Sequence, residues 1–178
     1  MQKTSDEMTF IINEAAEGDW VFITRGQIEI AWTRVDPKER DDAGRDAVVE
    51  AVTQHVARIR QDEGFPDCAL VARTAEGVIA GYVWVAKDHN DATGEVEASL
   101  LSQYVAESYR GHGLGRVLME RAEAWASRQG LPCISLFVGA DNRLAQGLYK
   151  SLGYDVETLR MTKCLDAPTS ADPSLSDY

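Results

Sequence analysis

The stretch Val105-Ala106-Glu107-Ser108-Tyr109-Arg110-Gly111-His112-Gly113-Leu114-Gly115-Arg116 decides the fold through what stands on either side of it. Upstream, residues 95–105 read as a long strand. Downstream, Leu114, Val117, Leu118, Ala122 and Trp125 recur at helical spacing, and Gln129-Gly130 with Pro132 marks the stop. A strand, a glycine-rich turn and a helix aim backbone N–H groups and the positive end of a helix dipole at an anion. Gly111, Gly113 and Gly115 carry no Cβ, so the backbone can approach phosphate oxygens, and Arg110 and Arg116 add positive charge. Standing alone, three alternate glycines also read as a flexible turn that merely starts a helix. Two familiar phosphate loops are excluded by the letters. A Walker-type loop needs Gly-Lys-Ser/Thr, whereas Gly115 is followed by Arg116-Val117; the dinucleotide fingerprint needs a glycine where Arg116 stands.

Moving outward, 68–72 and 78–86 form a hairpin-like pair of strands about Glu76-Gly77, which argues against a parallel βαβ unit. Before them lie a short strand at Phe10-Ile11-Ile12 and a helix through Ile23, Gln27, Ile30 and Ala31, for which Asp19 is the expected cap and Asp36-Pro37 the end. A second helix carries Val48, Val49, Val52, Val56 and Ile59 and is broken at Gly64-Phe65-Pro66. After the loop helix, 134–138 is an apolar fifth strand. Asp141 or Asn142 caps a helix through Leu144, Leu148 and Leu152 that closes at Gly153, and 154–164 returns as strand. The 178 residues make one domain, with a flexible segment 1–8 before it and a disordered acidic tail 166–178 after it.

The formal net charge of −11 opposes nucleic-acid binding and permits a cationic substrate. Asp36, Glu39, Asp41, Asp42 and Asp46 are dense enough to attract an amine, although a solvated helix face explains them as well. No apolar run is long enough for a membrane helix, and residues 1–7 lack the pattern of a signal peptide, so a cytoplasmic protein without a membrane partner is expected. Cys68, Cys133 and Cys164 are odd in number and widely spaced, which suggests buried thiols and no metal site.

With these elements in place, the sequence resembles the GNAT superfamily of acetyl-CoA-dependent N-acetyltransferases. Residues 110–115 fit that family's coenzyme A signature, Gln/Arg-x-x-Gly-x-Gly/Ala, at every defined position. Asn142 and Leu148-Tyr149-Lys150-Ser151-Leu152-Gly153-Tyr154 match its second block. The resemblance covers roughly 9–165, and it implies an α+β fold: a mixed, mostly antiparallel sheet of six to seven strands, about four flanking helices, and a splay between strands 4 and 5. It implies that acetyl-CoA lies in the splay, with its pantetheine on the backbone of Tyr104 and Val105. The pyrophosphate would lie on Arg110, Gly111, His112, Gly113, Leu114, Gly115 and Arg116, and Asn142 would be a side-chain contact or only a helix cap.

The same resemblance makes Tyr149 the general acid for the departing thiolate. It also puts the base on strand 4, where Glu95, Glu97 and Ser99 alternate onto one face; Glu97 is the first choice and Glu95 the second, their mutual repulsion expected to raise both pKa values. His112 faces phosphate in this reading, and His55 and His89 are surface residues. Trp20, Trp32, Trp84 and Tyr82 are expected in the core, the alternative being the acceptor pocket. The acceptor would be a small-molecule or peptide amine. The family also admits homodimers, and a non-catalytic acyl-CoA sensor is the competing function.

Overall fold

A computed structural model describes residues 8–35, 40–61, 66–90 and 93–163. In chain order the elements are β1 (Ile11–Glu14), α1 (Trp20–Thr33), α2 (Asp42–Gln61), β2 (Asp67–Arg73), β3 (Ile79–His89), β4 (Val96–Val105), α3 (Leu114–Arg128), β5 (Ile134–Leu136) and α4 (Arg143–Ser151). Short 3-10 turns at Glu17–Asp19 and Glu107–Tyr109 lead into α1 and into the glycine loop.

The strands lie in the order β1-β2-β3-β4-β5; the first four pair antiparallel and β4 pairs parallel with β5. β3 is buried along most of its length because both faces are covered. One face meets α3, with Val83, Val85, Ala98 and Leu100 against Leu114, Leu118, Met119 and Ala122. The other meets α1 and α2, with Val71, Tyr82 and Trp84 against Ile23 and Val56. Tyr82 and Trp84 are fully buried core residues. Trp20 stands edge-on to Trp84, and Trp32 lies beneath the guanidinium of Arg45 between α1 and α2.

β4 carries a bulge that matters for the site. Trp84 pairs with Ser102 and Val85 with Leu100, so Leu101 has no partner on β3. Before the bulge Ala98 and Leu100 face α3 while Glu97 and Ser99 face the other way; beyond it Val105 faces α3 and Tyr104 packs with Tyr82 on the opposite side.

Four expectations change. Among the described residues the sheet has five strands, not six or seven: β5 stops at Leu136 and 154–163 forms no strand. The alternation there reads as a strand, but a strand exists only beside a neighbour that takes its hydrogen bonds, and Val156, Leu159 and Met161 stand exposed. Asp19 precedes α1 without capping it. Its Oδ2 accepts from the Ala16 N–H at 2.8 Å, within the preceding turn, and its Oδ1 accepts from the Arg73 guanidinium. Cys133 is exposed, because it lies in the turn before the short edge strand, and Cys68 is only half-buried. Burial, with Glu14 and Asp67 nearby, pushes the Cys68 thiol up to about 11. The segment 1–7, Asp36-Pro37, Glu39, Gly64-Phe65, Cys164 and the tail 166–178 lie outside the described residues, as does the side chain of Asp42.

Candidate active site

The glycine loop closes the gap between the end of β4 and the first turn of α3. Gly111 and Gly113 have φ of 81° and 79°, left-handed values that a side chain would strain, and a Cβ built on either would project into open space. Gly113 is the N-cap of α3, and the first turn of a helix has no carbonyl to receive its N–H groups. Arg110 N–H is taken by Glu107, and the next amide taken by a backbone carbonyl outside the regular ladders is that of Val117, which donates to Gly113. Among the described residues no backbone carbonyl accepts from the amides of 111–116. This is an anion cradle at the positive end of a 15-residue helix. Its chemistry fits a pyrophosphate.

Gly115 has a different reason to be glycine. A Cβ there would lie 3.3 Å from Leu148 Cδ2, 3.6 Å from Gln103 Nε2 and 3.9 Å from Val105 Cγ2. The start of α3 is thereby pressed onto both β4 and α4. Arg116 donates from Nη2 to Ser151 Oγ at 2.6 Å, a second tie to α4, and Arg110 folds back so that its Nε donates to the Val105 carbonyl at 2.9 Å.

β4 and β5 pair only from Ala98/Ile134 to Leu100/Leu136, so the last five residues of β4 form an open edge on that side. Ala106 N–H donates to Ala80 O, and pairing alternates from there. The N–H and C=O of Tyr104 consequently face Tyr82 on β3, while those of Gln103 and Val105 face the open edge. Of the two backbone positions expected to meet pantetheine, Val105 is turned to the splay and Tyr104 is turned to β3; Gln103 is the other position turned to the open edge.

Tyr149, on α4, is half-buried beside this edge. Its hydroxyl donates to Gln103 Oε1 at 3.3 Å, its ring lies 5.8 Å from that of Tyr154, and burial holds its pKa above the ordinary phenol value. Asn142 is the N-cap of α4, its Oδ1 accepting from the Ala145 N–H at 3.1 Å.

Glu97 is 8% exposed and fully engaged. Ser135 Oγ donates to Oε1 at 2.6 Å, and Asn90 Nδ2 at 3.1 Å and Cys133 Sγ at 3.5 Å donate to Oε2. Burial works against ionisation, but these donors outweigh it and hold the carboxyl below its usual range, contrary to the expected rise. Glu95 is exposed in the turn before β4, where its N–H is bound by Thr93 Oγ1 and its C=O by the Asn90 N–H. The donors Asn90, Cys133 and Ser135, and Gln103, are parts of the candidate site that no sequence motif marks; only the serine stands out, as the polar residue of the short strand Ile134–Leu136. His112, His55 and His89 are exposed, and Asp41 caps α2 through Oδ1, which accepts from the Gly44 N–H at 2.7 Å.

A splayed mixed sheet with an anion cradle at the mouth of the splay defines the class of proteins that hold an acylated coenzyme A against an acceptor. The profile of the acetyltransferase (GNAT) family matches residues 27–154, and the chain belongs to that family. A mycothiol acetyltransferase of Thermomonospora curvata is 36% identical over 130 residues, covering 72% of this chain and 41% of that protein. One from Nocardiopsis dassonvillei is 28% identical over 153 residues, covering 80% and 45%. The chain thus spans less than half the length of these curated relatives. Among solved structures, a GCN5-related N-acetyltransferase from Ralstonia eutropha superposes with a TM-score of 0.69 at 18% identity, covering 89% of this chain and 100% of its own. AAC(6')-Iy in complex with the bisubstrate analog CoA-S-monomethyl-acetylneamine gives 0.63 at 16% identity, with 88% and 99% covered. Among the described residues no helix is long and apolar enough to cross a membrane.

Proposed function

We propose that this chain transfers the acetyl group of acetyl-CoA to a primary amine by direct attack within a ternary complex. The observation that carries the reading is the run of amides from Gly111 to Arg116 without a backbone carbonyl partner, beside the open edge of β4. These amides hold the pyrophosphate, with Arg110 and Arg116 flanking it, His112 and Leu114 contributing backbone, and Asn142 reaching the arm from the head of α4. Gln103 and Val105 offer strand-like hydrogen bonds to the pantetheine, which orient the thioester. The bound cosubstrate supplies an acetyl group already activated for attack.

Tyr149 donates its proton to the sulfur as the C–S bond breaks. Its raised pKa suits this role, since a phenol that stays neutral at physiological pH still has its proton to give. Glu97, ionised at neutral pH, draws the acceptor as its ammonium and takes the surplus proton through one water, because both of its oxygens are already engaged. Glu95, at the rim, is the second carboxylate. A cationic small amine is the favoured acceptor, in keeping with the net charge of −11 and with relatives named for mycothiol.

The test is Tyr149→Phe, assayed with acetyl-CoA and a panel of primary amines. Transfer should slow by about 10²- to 10⁴-fold while acetyl-CoA affinity holds. Undiminished turnover would remove Tyr149 as the acid. Acetyl-CoA binding by the wild type with no transfer to any amine would leave a sensor as the better reading.

A further inference from the structure

Gln103 makes two hydrogen bonds that together join the cofactor loop to the acid. Its Nε2 donates to the Gly115 carbonyl at 2.5 Å, and its Oε1 accepts from the Tyr149 hydroxyl at 3.3 Å. The first bond fixes the sense of the second. A reversed amide would set Oε1 against the Gly115 carbonyl, oxygen to oxygen, so Gln103 can present only an acceptor to Tyr149. The phenol is thereby held as a neutral donor.

Two features of the backbone place this side chain. The bulge at Leu101 shifts the alternation of β4, so that Gln103 faces α3 and α4; without it Gln103 would share the face of Glu97. Gly115 brings the backbone close to the amide and to α4: a Cβ there would stand at ordinary contact distance, 3.6 Å, from Nε2 and at a tight 3.3 Å from Leu148 Cδ2.

We propose that Gln103 is a positioning residue, which sets the Tyr149 hydroxyl against the glycine loop so that the proton donor and the pyrophosphate cradle share one fixed distance. This rests on the acetyl-transfer reading and on Tyr149 as its acid. When the thiolate departs, the phenol needs only a rotation about its C–O bond, from Gln103 Oε1 to the sulfur, and the ring stays where the tether holds it. Other groups near Tyr149 do not supply such a tether. Tyr154 meets it ring to ring, the charge of Glu123 of α3 acts on Tyr154, and Arg116 of α3 is directed to Ser151.

A double-mutant cycle tests the assignment. Gln103→Leu should lower kcat by about ten- to a hundredfold with little change in the KM for acetyl-CoA, and should add nothing to Tyr149→Phe. A merely structural glutamine would lower kcat equally in both backgrounds, and that result, or wild-type kcat in Gln103→Leu, would overturn the inference while leaving the acetyl-transfer reading intact. If Tyr149→Phe itself turns over normally, the acid and its tether fall together. A second measurement needs no acceptor. In protein labelled with 13C at tyrosine Cζ, the Tyr149 resonance, assigned by its loss in Tyr149→Phe, should titrate about one pH unit higher in Gln103→Glu, because a carboxylate touching the phenol disfavours phenolate. An unmoved midpoint would overturn the contact.

Discussion

A single carboxylate shows how the site is built at the scale of one residue. Glu97 is buried, and an uncompensated buried charge would be costly; three donors from β5, the turn before it and the end of β3–β4 hairpin make it affordable. Because its folded pKa lies below the ordinary glutamate value, the unfolded chain binds the proton more readily in the acid range. Glu97 therefore stabilises the fold fully above that value, and the contribution is lost as pH falls through the lower, folded pKa. Glu97→Gln should cost about 1.5–3 kcal/mol near neutrality, and the gap from wild type should shrink toward pH 3 in urea-unfolding curves. A gap that stays constant with pH would show that the charge of Glu97 contributes nothing. The two-residue alternation placed Glu97 and Ser99 on one face from letters alone, but its donors come from residues 7, 36 and 38 positions away, which no local pattern reveals.

At the scale of elements, apolar periodicity made α1, α2, α3 and α4 legible, and Gly130 and Gly153 marked the ends of α3 and α4. β2 runs one residue beyond the expected limits at each end, β3 begins one residue later and ends three later, and β4 begins one residue later than expected. What could not be read was anything decided by a neighbour. The bulge at Leu101 depends on the register against β3, and it is this shift that exchanges Tyr104 for Gln103 at the open edge. Likewise 154–163 has the letters of a strand and no partner among the described residues. Close packing of elements gives a further prediction. Gly26 lets α1 settle on Tyr82: a Cβ there would meet the Tyr82 Cε1 and hydroxyl at 2.6 Å, and that ring is fully buried with its O–H donating to Ile23 O at 3.2 Å. Gly26→Ala should destabilise the protein by about 1–3 kcal/mol, despite alanine's better helix propensity. A thermal midpoint at or above the wild-type value would mean that Tyr82 moves aside without loss.

For the whole molecule, the sheet is the part that brings the chemistry together. Its bulged fourth strand carries Glu97 on the α1/α2 face and Gln103 on the α3/α4 face, and ends at the loop whose amides have no backbone carbonyl partner. α4 then returns over the start of α3 through Leu148, Tyr149 and Ser151, so Tyr149 and the glycine loop are neighbours although 34 residues separate Tyr149 from Gly115. The most direct test of this account is calorimetric titration of acetyl-CoA into the wild-type protein and into Gly113→Glu, which places a carboxylate in the cradle. Micromolar binding by the wild type, abolished in a variant that remains folded by circular dichroism, is the predicted result. Equal binding by both proteins would put the cofactor somewhere other than this loop, and no binding by the wild type would contradict the proposed activity itself.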